Sequence, residues 1–134
     1  MTDTRMYMTT GGEDGIWEFN PETGKRPHQL KATAKHGFHN IVQVDKFLYM
    51  TPQSGTGIWH YDLAKPEEAP IRLKPTEQHT FNGIAYLHPL LYLTKMDEPR
   101  GIWTYDLTKP HLPPVRIEST KDLGFREIIV GTAE

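Results

Sequence analysis

Hydrophobic residues along this chain fall in short runs of four to seven, rich in aromatic and β-branched side chains and bounded by Gly, Pro, Asn and Asp clusters. That is the pattern of β-strands, and no stretch fits a helix of ordinary length. The runs also recur. Gly-Ile-Trp stands at Gly15-Ile16-Trp17, Gly57-Ile58-Trp59 and Gly101-Ile102-Trp103, each followed one residue later by an aromatic, Phe19, Tyr61 or Tyr105. A second triplet precedes it: Tyr7-Met8-Thr9, Tyr49-Met50-Thr51 and Tyr92-Leu93-Thr94. A third motif lies between units as Phe38-His39-Asn40-Ile41, Phe81-Asn82-Gly83-Ile84 and Phe125-Arg126-Glu127-Ile128. All three share a spacing of 42 to 44 residues.

Each unit predicts four short strands. Strand A covers 38–44, 81–87 and 125–130; strand B covers 5–9, 47–51 and 91–94. Strand C covers 16–20, 58–63 and 102–107; strand D covers 28–31, 70–73 and 114–117. A four-stranded unit repeating at this period is the signature of a β-propeller blade, so the fold class is all-β. The blade repeats are about 1–37, 38–80 and 81–124, followed by a closing strand at 125–131.

Three blades do not close a ring, since closed propellers have about four to eight. An open half-ring exposes apolar faces and sheet edges. A C2 homodimer that closes two halves into a six-bladed ring is therefore expected. The strand order supports it, because the units run from strand B of the first blade to an extra strand A. That last strand, 125–130, is expected to pair across the subunit boundary beside residues 5–9. The alternative is a fragment of a longer propeller.

Composition narrows the partners. The 134 residues carry 15 basic and 17 acidic side chains, a net charge of −2, which is not the basic profile of a nucleic-acid binder. No apolar run is long enough to span a membrane, and residues 1–8 hold no secretory core. The absence of cysteine rules out disulfides, thiolate zinc sites and a cysteine nucleophile, and fits a reducing, cytoplasmic compartment.

Phe81-Asn82-Gly83-Ile84-Ala85-Tyr86, Leu91-Tyr92-Leu93-Thr94 and Gly101-Ile102-Trp103-Thr104-Tyr105-Asp106-Leu107 resemble a blade of the gluconolactonase and senescence-marker-protein family, related to strictosidine synthase and paraoxonase. The resemblance covers one blade well and the other two through Ile-Trp-x-Tyr-Asp and Tyr-x-Thr. It implies a six-bladed propeller and lactonase-like hydrolase or isomerase chemistry on a small molecule. It also implies a divalent cation, calcium, with Asn82 as the only family ligand that carries over. Phe81 stands where the family has Pro, and no carboxylate ligand can be matched. Glu127 is the acidic residue expected beside Asn82 at such a metal, and Arg126 would oppose a cation.

The starts of the strands A converge on one mouth in any propeller. His39, Asn82 and Arg126 are the first candidates there: an imidazole for acid or base work, an amide to donate to a carbonyl oxygen, and a guanidinium to grip a carboxylate or oxyanion. His36, His79, Asn40 and Glu127 are expected in support as ligand-binding groups. Gln53, Asp97, Glu98 and Arg100 would join from the B-to-C loops. Clustered neutral histidines could alternatively hold zinc. The bland reading is a wet channel in which each group needs only water. His28, His60, His88 and His111 are expected at the surface, and the three Trp residues in the core. Two other functions remain open, a carbohydrate-binding, lectin-like propeller and an engineered or reconstructed self-assembling scaffold without activity.

Overall fold

The computed structural model describes residues 4–132. The first three and last two residues, including the start of the stretch read for a secretory signal, lie outside the described residues. The fold is all-β, with three antiparallel sheets that follow one another along the sequence. The first holds β1 (Met6–Thr9), β2 (Ile16–Phe19) and β3 (His28–Gln29). The second holds β4 (Phe38–Val44), β5 (Phe47–Pro52), β6 (Trp59–Asp62) and β7 (Ile71–Arg72). The third holds β8 (Ile84–Leu87), β9 (Leu90–Lys95), β10 (Gly101–Asp106) and β11 (Val115–Arg116). Every ladder joins strands adjacent in sequence. β1 lies beside β4 and β4 beside β8, an arrangement compatible with propeller blades. Among the described residues no helix is long and apolar enough to cross a membrane.

The repeated Gly-Ile-Trp motif has a local cause in each unit. Gly15, Gly57 and Gly101 take positive φ angles of 71°, 86° and 123°, which glycine adopts without strain. The turn aims the next amide at a threonine hydroxyl: Ile16 N–H donates to Thr33 Oγ1, Ile58 to Thr76 and Ile102 to Thr120, at 2.8 to 2.9 Å. Each hydroxyl passes its own proton to the carbonyl of Leu30, Leu73 or Ile117, at 2.6 to 2.7 Å. The threonines sit in single 3-10 turns, Lys31–Thr33, Lys74–Thr76 and Glu118–Thr120. Those turns shorten the fourth strand of each unit to two residues, against the four expected.

The core lies between sheets. Ile16, Phe38, Leu48, Met50 and Tyr61 form one cluster; Val44, Tyr49, Ile58, Phe81, Ile84, Leu91, Leu93 and Tyr105 form the other. Tyr61 and Tyr105 are buried and give their hydroxyl protons to the carbonyls of Pro66 and Pro110, which anchors the Lys-Pro turns. Burial pushes the Tyr105 phenol up to about 12, with Tyr49 adding to the shift.

Two expectations need correction. His60 is not a surface group: its ring stacks on Phe47 at 5.4 Å and on Tyr49 at 5.9 Å between centroids, because strand C is covered on that face. Residues 125–130 form no strand within the chain, since a ladder needs a paired neighbour and among the described residues this segment meets chiefly Lys95 O and Thr94 Oγ1.

Burial holds the His60 imidazole below its usual value despite the opposing Asp62 carboxylate, and lowers His79 through desolvation and then the Lys95 ammonium. A base kept neutral when folded contributes stability that is complete above its unfolded value and is lost as pH falls toward the depressed folded value. The urea midpoint is therefore expected to fall as pH drops from about 7 to about 5, around the ordinary imidazole range near 6.5. His60→Gln/His79→Gln should flatten that slope; an unchanged slope would mean that other groups carry it.

Candidate functional site: the mouth between the inner segments

The two complete sheets share a device that joins each inner strand to the next. Asn40 N–H donates to Thr51 Oγ1 at 3.2 Å, and that hydroxyl donates to Asn82 O at 3.1 Å. Gly83 N–H donates to Thr94 Oγ1 at 2.9 Å, and that hydroxyl donates to Arg126 O at 3.3 Å. In the first sheet Thr9 Oγ1 donates to His39 O at 3.2 Å. The third residue of Tyr-x-Thr thus pins the carbonyls of His39, Asn82 and Arg126 in turn. These three residues occupy one level on three successive inner segments.

The backbone brings the segments together directly. Asn40 Nδ2 donates to Asn82 O at 2.8 Å. Gly83 has no room for a side chain, because a Cβ there would stand 2.9 Å from both Arg126 O and Glu127 Cα. Beyond this level the segments line one cavity of about 490 Å³, which includes Asn40, Gln43, Tyr86 and Glu127 among its walls. His39 and Arg126 immediately precede the wall residues Asn40 and Glu127, and Asn82 stands two residues before Ile84.

The candidate side chains differ in what they have left to offer. Asn82 Oδ1 accepts the Met96 N–H at 3.0 Å, which fixes the amide and leaves its NH2 as the group free to face a ligand. The half-buried His39 ring and the exposed Arg126 guanidinium make no hydrogen bond or ion pair among the described residues. Asn40 and Glu127 line the cavity.

His36 and His79 do not. His36 stacks on Phe38 at 5.7 Å with planes 6° apart and meets Trp59 at 5.6 Å. His79 repeats the arrangement on Phe81 at 5.5 Å and Trp103 at 4.7 Å. Arg72 and Arg116 complete each stack, 5.8 and 5.9 Å from the Trp59 and Trp103 rings. The His-x-Phe repeat serves aromatic packing against the third strand of its own sheet, and Trp59 and Trp103 are engaged in the same stacks. Of the loop residues, Gln53 Nε2 donates to Gly11 O and ties two units together, while Arg100 pairs with Glu98 at 3.2 Å.

The calcium site implied by the resemblance would draw on Asn82, whose Oδ1 already accepts the Met96 N–H, and no group of three or more His, Asp or Glu side chains is gathered among the described residues. Sequence reasoning missed two kinds of group. The threonine hydroxyls were visible only as a repeated letter, without a sign that they bridge sheets. Lys95 is 7% exposed, donates to Thr80 O at 2.9 Å and sits 5.4 Å from the Phe81 ring; burial lowers its ammonium despite Asp97. The equivalent positions hold Thr10 and Pro52, so no repeat pointed to it. No protein-family model matches the chain, and no curated protein matches it.

Proposed function

We propose that the three sheets are blades of a β-propeller, that two copies close as a six-bladed ring, and that the channel mouth binds a small lactone-like molecule and hydrolyses it. The observation that carries this reading is the single level at which the backbone carbonyls of His39, Asn82 and Arg126 are pinned, on the three inner segments that wall one cavity. A ring of one such level from each chain would surround a small polar ligand.

The chemistry follows from the groups left uncommitted. The His39 imidazole takes a proton from water, and the water oxygen bonds to the lactone carbonyl carbon. The oxyanion that forms is held by the Arg126 guanidinium and the Asn82 NH2. Collapse breaks the ring C–O bond, and the imidazolium returns the proton to the departing alkoxide. The product acid loses its proton to solvent, and its carboxylate faces Arg126, which suits bidentate recognition. No metal enters these steps.

The test is hydrolysis of a panel of small sugar lactones by the purified chain. His39→Ala is expected to lower kcat/KM by about 10²- to 10⁴-fold, the range of a general base, with the melting temperature unchanged. Arg126→Ala should lower it by about 10²- to 10³-fold, as for a lost oxyanion donor. A folded wild-type chain that turns over none of the panel, or a His39→Ala chain as active as wild type, would sink the reading.

A further inference from the structure

We infer that residues 125–130 of one chain form the inner strand of the first sheet of a second copy, so that the mouth site is shared, with Arg126 of one chain next to His39 of the other. The inference rests on the closed ring proposed above and names how it closes.

The repeat shows what is missing. In the second and third sheets the bridging threonine receives an inner-strand N–H, from Asn40 or Gly83, and donates to the next inner segment. Thr9 makes only the second half of that bridge among the described residues, giving its proton to His39 O. The residue equivalent to Asn40 and Gly83 is Glu127, whose segment already lies against β8 at Gly83. Its N–H is the donor that fits the vacant side of a Thr9 hydroxyl, and one chain cannot supply it to itself while that segment lies two inner segments from β1. Thr9 of a second copy can accept it, which makes Arg126 and that copy's His39 successive members of the inner circle.

The apolar surface agrees. Phe38 is 2% exposed against Trp59 and Phe81 is 1% exposed against Trp103, at 6.3 and 6.1 Å between centroids. Among the described residues the first sheet has no inner strand, and so no equivalent of Phe38 or Phe81 against Trp17. Beside it lies a cavity of about 400 Å³ walled by Met8, Thr10, Trp17 and Pro27, on the face where Phe38 stands in the second sheet. The third member of the series, Phe125, remains half-exposed at the other end of the chain, followed by Ile129 at 88% and Val130 at 51% exposure. A second copy presents both the seat and the residue that fills it, twice over by symmetry. The partner is therefore another copy of this chain.

Register makes the inference testable. Ile41 stands opposite Met50 and Ile84 opposite Leu93, so Ile128 is expected opposite Met8 of the other copy. Directly opposed strand positions stand about 4.5 to 5.5 Å apart, within disulfide reach. The chain has no cysteine, so any bridge in Met8→Cys/Ile128→Cys joins the introduced residues. Mild oxidation is expected to give a covalent dimer on non-reducing electrophoresis, reversed by reductant. A cross-linked monomer would show that one chain closes on itself and overturns the inference. As a safeguard against a poorly folding double variant, equal amounts of Met8→Cys and Ile128→Cys chains refolded together should cross-link only as the mixture. Sedimentation of the unmodified chain should give twice its 15.4 kDa mass, and a monomer overturns the inference. A dimeric wild type with no cross-link in either format overturns the strand exchange while leaving the ring intact. Because lactone turnover is not read, a cross-linked but inactive dimer would refute the proposed chemistry alone.

Discussion

Gly15→Ala is expected to lower the unfolding free energy by about 4 kcal/mol, among the largest effects available to a single methyl group. Two causes add. Gly15 has φ of +71°, a conformation that costs an alanine about 1 kcal/mol. The added Cβ would also collide with the Thr33 carbonyl oxygen and stand 2.5 Å from the Thr33 hydroxyl. Neither atom can retreat cheaply, because Thr33 is fully buried and its hydroxyl is held by Ile16 N–H and Leu30 O. Gly24→Ala separates the causes: φ is +64° there, but nothing lies within 4 Å of the new methyl. It should cost only about 1 kcal/mol. Urea denaturation at matched m-values measures both. Equal losses in the two variants would show that the collision is relieved by a backbone shift.

Thr76→Val should cost about 3 kcal/mol although it preserves shape. The substitution strips the acceptor from Ile58 N–H, which lies in a fully buried residue, and removes the donor to Leu73 O. Stranding a buried donor costs about 1 to 3 kcal/mol, to which the lost second bond adds. Thr76→Ser keeps the hydroxyl and gives up one methyl, so a loss of about 1 kcal/mol is expected. The comparison is again made by chemical denaturation. If serine and valine were equally damaging, packing of the methyl rather than the relay would be the stabilising element.

The architecture was legible because its signals are local and repeated three times. Tyr61 and Tyr105 read correctly as strand residues, and the Gly and Pro clusters as strand boundaries, from residue type alone. The 3-10 turns were not legible, since Lys-Ala-Thr, Lys-Pro-Thr and Glu-Ser-Thr share only their threonine. The site was less readable than the fold. Equivalence in the repeat does place His39, Asn82 and Arg126 on one level, because backbone position follows the period. It cannot tell which side chains stay free. Asn82 is committed on one side to Met96, an amide in a loop that differs in length between units, and His36 and His79 are claimed by aromatic stacks that depend on packing between strands. Polar identity at a repeated position therefore overstated the number of available groups.

The meander of each sheet, with every ladder between sequence neighbours, also constrains how the chain can change length. A unit contains its own glycine turn, its own threonine relay and one bridge to the next inner strand, so its interactions are confined to itself and its neighbours. Gain or loss of a whole period of about 43 residues would leave each of those contacts with a suitable partner. A deletion within a strand or a 3-10 turn would displace a threonine from its carbonyl, whereas the loops already differ by a residue or two between units. Length is thus effectively quantised in whole sheets, so variation in the size of such a protein is expected to come in steps of one repeat.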